Sequence, residues 1–279
     1  MSTQPASGAR ADRPIGVFDS GVGGLSILRA LRAELPHEDF VYFADSGHAP
    51  YGERDGAHVI ARSRAITSQL RAEHGIKALV IACNTATAVA VHLLREEHPD
   101  LPIIGVEPAL KPAVALSRTH RIGVMATRGT LGSAKFAVLL DSLSGLAEFV
   151  LQPCDGLADA IEHQETSKIT ALCEKYTREM GPFGPGSGQI DTLVLGCTHY
   201  PFASGPLRAL LGPEVHFIDT GEPVARHTRQ LLLTRQVSLQ PADRPGRGQL
   251  TLISTGQPGD LQAAAQRWLG IDATARSAA

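Results

Sequence analysis

The sequence has no long apolar run and no excess of charge of either sign, and these absences exclude two broad classes of protein. A membrane-spanning helix needs about 18 or more consecutive apolar residues, and the chain has no such run. Lys and Arg total 26, Asp and Glu total 28, and no five basic residues are consecutive. Nucleic-acid binders usually carry a basic face, so we expect neither a membrane nor a nucleic acid as partner.

The chain also begins without the apolar segment of a secretory signal, since residues 1–13 are small and polar. We predict that residues 1–13 and 273–279 are disordered tails and that the protein stays in the cytoplasm. Thiols stay reduced in that compartment. The cysteines are therefore expected to serve in the core, in metal binding or in catalysis, and not in disulfides. They are Cys83, Cys154, Cys173 and Cys197.

Three short segments of the first half of the chain recur in the same order in the second half. The three pairs of segments begin at Ile15 and Ile122, at Ala78 and Thr192, and at Ile103 and His216. Cys83 lies 68 residues after Ile15, and Cys197 lies 75 residues after Ile122. Three matches with similar spacing indicate a duplicated architecture.

Each repeated segment is short, apolar and rich in β-branched residues, as buried parallel strands are. Helical patterns fill the intervals at 25–35, 56–74, 85–97, 131–143, 167–180 and 206–211. Strands alternating with helices predict an α/β fold with parallel sheets, here as two similar domains at about 14–110 and 111–222. The rest of the chain predicts a helix at 223–236, a strand at 249–253 and a helix at 260–269.

Polar residues follow the repeated strands, at the sheet edge where parallel sheets bind ligands. They are Asp19, Ser20, Cys83, Asn84, Thr85, Thr127, Cys197, Thr198 and His199. If the two halves face each other, Cys83 and Cys197 approach one ligand from opposite sides of a cleft. Each thiol also precedes a predicted helix, whose N-terminus lowers a thiol pKa from about 8.5, so we expect both to exchange protons near neutral pH.

Two identical acid/base groups on opposite faces are what inversion of a stereocentre requires. One group removes the α-proton, and the other delivers a proton to the opposite face. The paired cysteines therefore predict a racemase. Cys154 and Cys173 lack a comparable setting, and we assign them no chemistry.

Three other functions remain open on these residues. Cys83, Cys197 and His199 could together hold zinc, although the CxxC or HxxxH spacing of structural zinc sites is missing. A cysteine hydrolase could use one thiol with His199 as its base, which leaves the second thiol without a role. A two-lobed amino-acid-binding module is the alternative outside the enzymes. The glycine-rich turn at 21–24 offers backbone N–H groups that fit a substrate carboxylate.

The sequence resembles glutamate racemases closely in five regions between about 15 and 225. The matching motifs are Phe18-Asp19-Ser20-Gly21-Val22-Gly23-Gly24, Tyr42-Phe43-Ala44-Asp45 with Pro50-Tyr51-Gly52, Ala82-Cys83-Asn84-Thr85-Ala86-Thr87, Gly105-Val106-Glu107-Pro108-Ala109 and Leu195-Gly196-Cys197-Thr198-His199-Tyr200-Pro201. The Cys-Asn-Thr and Cys-Thr-His motifs are shared with aspartate racemases, which leaves an aspartate racemase as the runner-up. The first motif and Pro-Tyr-Gly are typical of glutamate racemases.

The resemblance implies interconversion of L- and D-glutamate without pyridoxal phosphate or metal, as a supply of D-glutamate for peptidoglycan synthesis. It implies that Cys83 acts on the D-isomer and Cys197 on the L-isomer. The supporting residues it implies are Asp19, His199 and Glu162, the last in a segment that departs from the usual pattern. The implied substrate-binding residues are Asp19, Ser20, Tyr51, Gly52, Asn84, Thr85, Thr198 and His199, and Thr127 joins them from its place at a strand end.

The resemblance also bears on domain organisation and assembly. It implies that the chain from about 223 packs on the first half, so that the first domain comprises 14–110 plus 223–272. Family members are often dimers, which makes a homodimer the expected assembly.

Overall fold

The computed structural model describes residues 11–278, so the predicted N-terminal tail lies outside the described residues as far as residue 10. In chain order the strands are β1 (Ile15–Asp19), β2 (Phe40–Ala44), β3 (Ala78–Ile81), β4 (Ile103–Gly105), β5 (Arg121–Ala126), β6 (Glu148–Pro153), β7 (Thr192–Leu195), β8 (His216–Ile218), β9 (Leu250–Ser254) and β10 (Ala275–Ser277). The α-helices are α1 (Leu25–Glu34), α2 (Gly56–His74), α3 (Asn84–Glu97), α4 (Leu110–Leu116), α5 (Arg128–Leu131), α6 (Ala134–Asp141), α7 (Leu157–Glu162), α8 (Thr166–Met180), α9 (Ser204–Leu211), α10 (Gly221–Thr234) and α11 (Pro258–Leu269).

The strands form two sheets in which every pairing is parallel. The first sheet has the order β10-β9-β2-β1-β3-β4, and the second has the order β6-β5-β7-β8. If β1 to β4 are matched with β5 to β8, the order of the four shared strands is the same in both sheets. The predicted α/β fold with two similar parallel-sheet halves is therefore confirmed.

Local sequence explains why these segments adopt their structure. All residues of β1, β2 and β3 are buried, as expected for apolar strands covered by helices on both faces. Helix α2 begins where the Asp55 side chain accepts a hydrogen bond from the backbone N–H of His58. It ends at Gly75, whose left-handed conformation (φ 56°) suits glycine.

The C-terminal part of the chain packs against the first sheet and its helices. Strand β9 pairs with β2, α10 packs against α1, and α11 packs against β9, β10 and α1. We expected a disordered tail from 273, and that prediction is wrong for Ala275–Ser277. These residues pair with the exposed edge of β9, because an edge strand offers free backbone groups whatever side chains its partner carries. Residue 279 lies outside the described residues.

Two further differences concern one predicted helix and two strands. The region predicted as one helix at 131–143 contains the end of α5 and all of α6. The helices are separate because Ser133 lies between them and caps α6, where its hydroxyl accepts a hydrogen bond from Phe136 N. Strands β2 and β6 were not among the predicted repeats, because their sequences share no pattern although they occupy equivalent places. Among the described helices, none combines the length and apolar character needed to span a membrane.

Candidate active site

A cavity lies between the two halves, at the carboxyl ends of the central strands. Both halves line it, and most of the predicted site residues are among the lining residues. These are Ser20, Tyr51, Gly52, Cys83, Asn84, Thr85, Thr127, Glu162, Cys197, Thr198 and His199. Asp19 is the exception, because it is fully buried beneath the cavity and does not line it.

Cys83 is fixed within the first half of the molecule. It directly precedes α3, and its Sγ accepts a hydrogen bond from Ala86 N at 3.5 Å, as the cap of that helix. Its thiol also donates to Ser20 Oγ at 3.8 Å. Burial raises the pKa of the Cys83 thiol, and the negative charge of Asp19 raises it further. The expected lowering of this pKa is therefore wrong, because desolvation outweighs the helix N-terminus.

Asp19 accepts a hydrogen bond from Gly24 N at 2.7 Å. Burial raises the pKa of Asp19 to about 6, although the positive charge of His199 and the hydrogen bond from Gly24 act in the opposite direction. The Asp19 carboxylate therefore occupies one end of the glycine-rich turn. Glu162 Oε2 accepts from another N–H of the turn, that of Val22, at 2.8 Å. The turn thus binds two carboxylates of the protein itself, which corrects the expectation that it receives a substrate carboxylate.

Cys197 lies in a different local structure from Cys83. It follows β7 after one residue and precedes a four-residue 3₁₀ helix, Tyr200–Ala203, which leads into α9. The predicted helix start is therefore a tight turn. Cys197 Sγ lies 3.8 Å from His199 Nδ1. A side chain, and not a long helix, provides the polar neighbour of this thiol.

His199 and Glu162 form a buried ion pair, with Nε2 and Oε2 2.8 Å apart. Burial alone lowers the pKa of His199, but its hydrogen bonds to Cys197 and Glu162 raise it well above the usual value. Burial likewise raises the pKa of Glu162, whereas the hydrogen bonds from His199, Val22 N and Ser46 outweigh that effect and lower it. Both groups are therefore charged at neutral pH.

The glycine-rich turn is shaped to receive this ion pair. A Cβ atom at Gly21 would collide with the Glu162 carboxylate, and one at Gly23 would collide with the His199 ring. Ser46 donates a further hydrogen bond to Glu162 Oε1 at 2.7 Å. Glu162 belongs to α7 of the second half, so its carboxylate joins the two halves at the cavity.

Asn84 has a side chain with no partner of its own. It is 5% exposed and lines the cavity, yet neither Nδ2 nor Oδ1 has a hydrogen-bond partner within residues 11–278. A buried amide without partners is costly, so such a group indicates a bound ligand that satisfies it. Beside it, the hydroxyls of Thr85 and Thr127 lie 3.1 Å apart and connect the two halves.

The Tyr51-Gly52 segment rests on a charged network that the sequence interpretation had not assigned. The Tyr51 hydroxyl donates to Asp45, and Arg62 binds both oxygens of Asp45 at 2.8 Å. Burial raises the pKa of Asp45, but Arg62, Tyr51 and Thr255 together lower it below its usual value. Asp45 ends the Tyr42–Asp45 motif, and its spacing of six residues from Tyr51 was the only indication of this contact in the sequence.

The sequence interpretation also missed residues at the mouth of the cavity. Cys154, which we had assigned no chemistry, lines the cavity as a third buried thiol. Arg128 and Asp155 form an exposed ion pair at 2.5 Å, and both line the cavity. No group of three His, Cys, Asp or Glu side chains within the described part of the chain is arranged to hold a metal ion.

Comparison with known proteins adds the family. The sequence pattern of Asp/Glu/hydantoin racemases matches residues 25–228 of the chain. The chain belongs to this racemase family. The enzyme class predicted from the paired cysteines, an isomerase of the racemase type, is thereby confirmed.

Three individual proteins show how far the similarity to members of this racemase family extends. The glutamate racemase of Stutzerimonas stutzeri (strain A1501) is 49% identical over 226 residues, which cover 80% of this chain and 83% of that protein. The structure of glutamate racemase isoform RacE1 from Bacillus anthracis has a TM-score of 0.83 at 28% identity, with 96% of this chain and 98% of that chain covered. Escherichia coli glutamate racemase has a TM-score of 0.79 at 30% identity and the same coverage.

Proposed function

We propose that this racemase interconverts L- and D-glutamate through two thiols and supplies D-glutamate for peptidoglycan synthesis. The observation that carries the mechanism is the placement of Cys83 and Cys197. They follow the equivalent strands β3 and β7 of the duplicated fold and line one cavity from opposite halves. The glutamate racemases among the relatives support the choice of substrate, and the Escherichia coli structure holds L-glutamate.

The reaction removes one proton from one face of the α-carbon and adds one proton to the opposite face. The Cys197 thiolate takes the α-proton of L-glutamate, and the C–H electron pair stays on the α-carbon, delocalised into the α-carboxylate. The Cys83 thiol then delivers its proton to the opposite face and forms D-glutamate. Cys83 is left as thiolate and Cys197 as thiol, which is the state that accepts D-glutamate in the reverse direction.

The charges around the two sulfurs suit this starting state. His199 places a positive charge 3.8 Å from Cys197 Sγ, beside the sulfur that takes up the α-proton in this direction. Burial and Asp19 raise the pKa of Cys83, so its proton remains in place until it is transferred. For the reverse direction, the α-ammonium of bound substrate brings a positive charge that favours the Cys83 thiolate.

The remaining lining residues provide donors and acceptors for an amino acid with a second carboxylate. We assign the unpartnered amide of Asn84 and the hydroxyls of Thr85 and Thr127 to the α-carboxylate and α-ammonium groups. Ser20 and the Tyr51-Gly52 backbone also line the cavity, and we assign their donors to the side-chain carboxylate. The contacts of Asp45 hold this segment in place.

An aspartate racemase is the second candidate, because both Cys motifs are shared with that group. Glutamate is favoured because a side chain shorter by one methylene would leave polar donors at Tyr51-Gly52 unpaired, and unpaired polar groups penalise the wrong substrate strongly. We expect kcat/KM for aspartate to be at least about tenfold lower than for glutamate. Comparable values, measured by chiral chromatography, would support an aspartate or broad-specificity racemase instead.

The decisive test of function is incubation of the purified enzyme with L-glutamate in D₂O without added cofactor. Chiral chromatography should show formation of D-glutamate, and NMR should show loss of the α-proton signal at a similar rate. The same activity after treatment with EDTA and hydroxylamine would exclude an essential metal or Schiff base. Racemisation that EDTA abolishes and metal restores would overturn the thiol-only mechanism.

The mechanism also supports the proposed cytoplasmic location, since it requires free thiols. All four cysteines are free in the structure, and thiols stay reduced in the cytoplasm. The homodimer stays a prediction.

A further inference from the structure

The only tryptophan of the chain stacks on an aromatic ring from the opposite half of the molecule. Trp268 is near the end of α11, and its ring lies parallel to that of Phe202, with 3.7 Å between the centroids and 7° between the planes. Phe202 lies in the 3₁₀ helix that directly follows Cys197, Thr198 and His199. The stack therefore lies next to the turn that carries the second thiol.

The two rings connect the cores of the two halves. Helix α11 is anchored on the first sheet, since Leu261 and Ala265 are buried in the core that contains β1 and β2. Phe202 and Trp268 each pack against this core and also against the core of the second half, which includes Leu193 and Cys197. The C-terminal helix thus reaches across the domain boundary to the turn that carries Cys197.

Backbone hydrogen bonds within the turn at 197–202, here called the Cys197 turn, connect Phe202 to the residue that carries the sulfur. Phe202 N donates to His199 O at 3.0 Å, and Tyr200 N donates to Cys197 O at 3.0 Å. A second bond across the boundary, from Ser26 Oγ to Thr198 O at 2.8 Å, holds the middle of the turn. The turn is therefore fixed to the first half by the hydrogen bond from Ser26, by one from Thr198 Oγ1 to Asp19 at 3.5 Å, and by the Trp268 ring.

Cys83 has no such dependence on the C-terminal helix. Its contacts with Ala86 N and Ser20 Oγ lie within the first half and involve neither ring of the stack. Loss of the Trp268 ring would therefore leave the Cys83 sulfur in place and release one of the attachments of the Cys197 turn to the first half.

We propose that Trp268 is a positioning residue for Cys197 alone, acting through its stack on Phe202. The inference rests on the proposed two-thiol racemase and deepens it, because it assigns different supports to the two thiols. A displacement of about 1 Å at a reacting group can cost about 100-fold in rate. The stack thus acts on the half-reaction in which Cys197 removes the proton from the L-isomer.

Racemisation cannot separate the two thiols, because each direction uses both, so the test needs a reaction with one base. In 3-chloroglutamate, a thiolate removes the α-proton and the C3–Cl electron pair leaves with chloride. The resulting enamine tautomerises and hydrolyses to 2-oxoglutarate and ammonia. Elimination from the L-enantiomer then reports on Cys197, and elimination from the D-enantiomer reports on Cys83.

For Trp268→Ala we expect kcat/KM for elimination from the L-enantiomer to fall about 10- to 100-fold, and that from the D-enantiomer to change less than about threefold. Trp268→Phe retains a ring and should restore most of the L-reaction. Phe202→Ala should reproduce the selective loss from the other side of the stack. Leu261→Ala is the matched control, because it weakens the packing of the same helix without removing the stack, and it should leave the ratio of the two reactions unchanged.

Equal losses from both enantiomers in Trp268→Ala, or the same ratio change in Leu261→Ala, would show a general structural role and overturn the inference.

Tryptophan fluorescence provides a check that does not depend on activity, since Trp268 is the single source of that emission. Phe202→Ala should shift the emission to longer wavelength as the ring becomes hydrated. An unchanged spectrum would show that the stack is not formed in solution. Failure of the proposed function would look different, since the unmodified enzyme would then act on neither enantiomer.

Discussion

Cys83 and Cys197 occupy equivalent places in a duplicated fold, yet their surroundings differ in charge and in support. Cys83 caps a 14-residue helix, and its charged neighbour is the carboxylate of Asp19. Cys197 lies in a turn, and its charged neighbour is the cation of His199. The duplication therefore explains why two thiols face one cavity, whereas the loops give the two sulfurs charged neighbours of opposite sign.

The two thiols differ in support because contacts between the two halves hold the residues beside Cys197. Glu162 of the second half is bound by Val22 N and Ser46 of the first half, and it holds His199 in its charged form. The Cys197 side is thus assembled from both halves. The hydrogen bonds of the Cys83 sulfur, by contrast, lie within one half.

The largest effect is expected when either thiol is removed. Cys83→Ser and Cys197→Ser should each lower kcat for racemisation about 1,000-fold or more, because a hydroxyl is a far weaker acid than a thiol and a positioned acid/base group contributes about 100- to 10,000-fold. Racemisation is followed by the change in optical rotation. Cys173→Ser is the matched control, since this thiol is buried in α8, and it should retain activity. Near-normal racemisation by either active-site variant would show that the comparison of two catalytic thiols is mistaken.

A smaller effect should follow when the cation of the Cys197 side is removed. In His199→Asn the Cys197 thiolate loses its neighbouring positive charge, so we expect about a 100-fold loss in elimination from the L-enantiomer of 3-chloroglutamate and a smaller loss from the D-enantiomer. Glu162→Gln keeps a hydrogen-bonding group beside His199 and should lie between this variant and the unmodified enzyme. A greater loss on the D-enantiomer would reverse the assignment of charge to the two sides.

The side-chain amide of Asn84, which has no partner within the described residues, allows substrate binding and protein stability to be tested separately. We expect Asn84→Ala to raise KM for glutamate about tenfold, because the substrate loses hydrogen bonds. Removal of a buried polar group without partners should leave Tm unchanged or raise it. Steady-state kinetics and thermal unfolding of the same preparation test both statements. A lower Tm with an unchanged KM would show that Asn84 supports the fold and does not bind substrate.

The smallest expected effect is a step in the pH profile that originates from Asp19, whose pKa burial raises to about 6. Protonation of Asp19 removes its charge interaction with His199, so kcat/KM should fall as the pH drops through about 6. Asp19→Asn should lack this step. Stability has the opposite sign, because the folded-state pKa lies above the usual value of 3.8, and this group therefore costs stability as the pH rises from about 4 to 6. A step that persists in Asp19→Asn belongs to another group.

The features that could be predicted from the sequence are those that depend on local residue patterns. The repeated apolar segments predicted the duplicated parallel sheets, and the polar residues that follow them predicted the positions of Cys83, Cys197 and Thr127 at one cavity. The charge state of Cys83 was not predictable in this way, because the helix N-terminus is a local feature, whereas burial of the thiol in the core of the first half depends on packing between distant segments.

Contacts between residues far apart in the sequence also could not be predicted from local sequence patterns. The contact between His199 and Glu162 spans 37 residues, and the one between Ser26 and Thr198 spans 172. The stack of Phe202 on Trp268 involves two rings that each look like ordinary core residues in sequence. Such contacts depend on how the two halves meet, and helix or strand periodicity carries no information about that.

The most direct test of two thiols with opposite roles is elimination from each enantiomer of 3-chloroglutamate by the two serine variants. Cys83→Ser retains Cys197 and should release chloride from the L-enantiomer while sparing the D-enantiomer. Cys197→Ser should show the reverse preference. If one variant is inactive towards both enantiomers while the other acts on both, a single thiol carries the chemistry and the two-thiol account is contradicted.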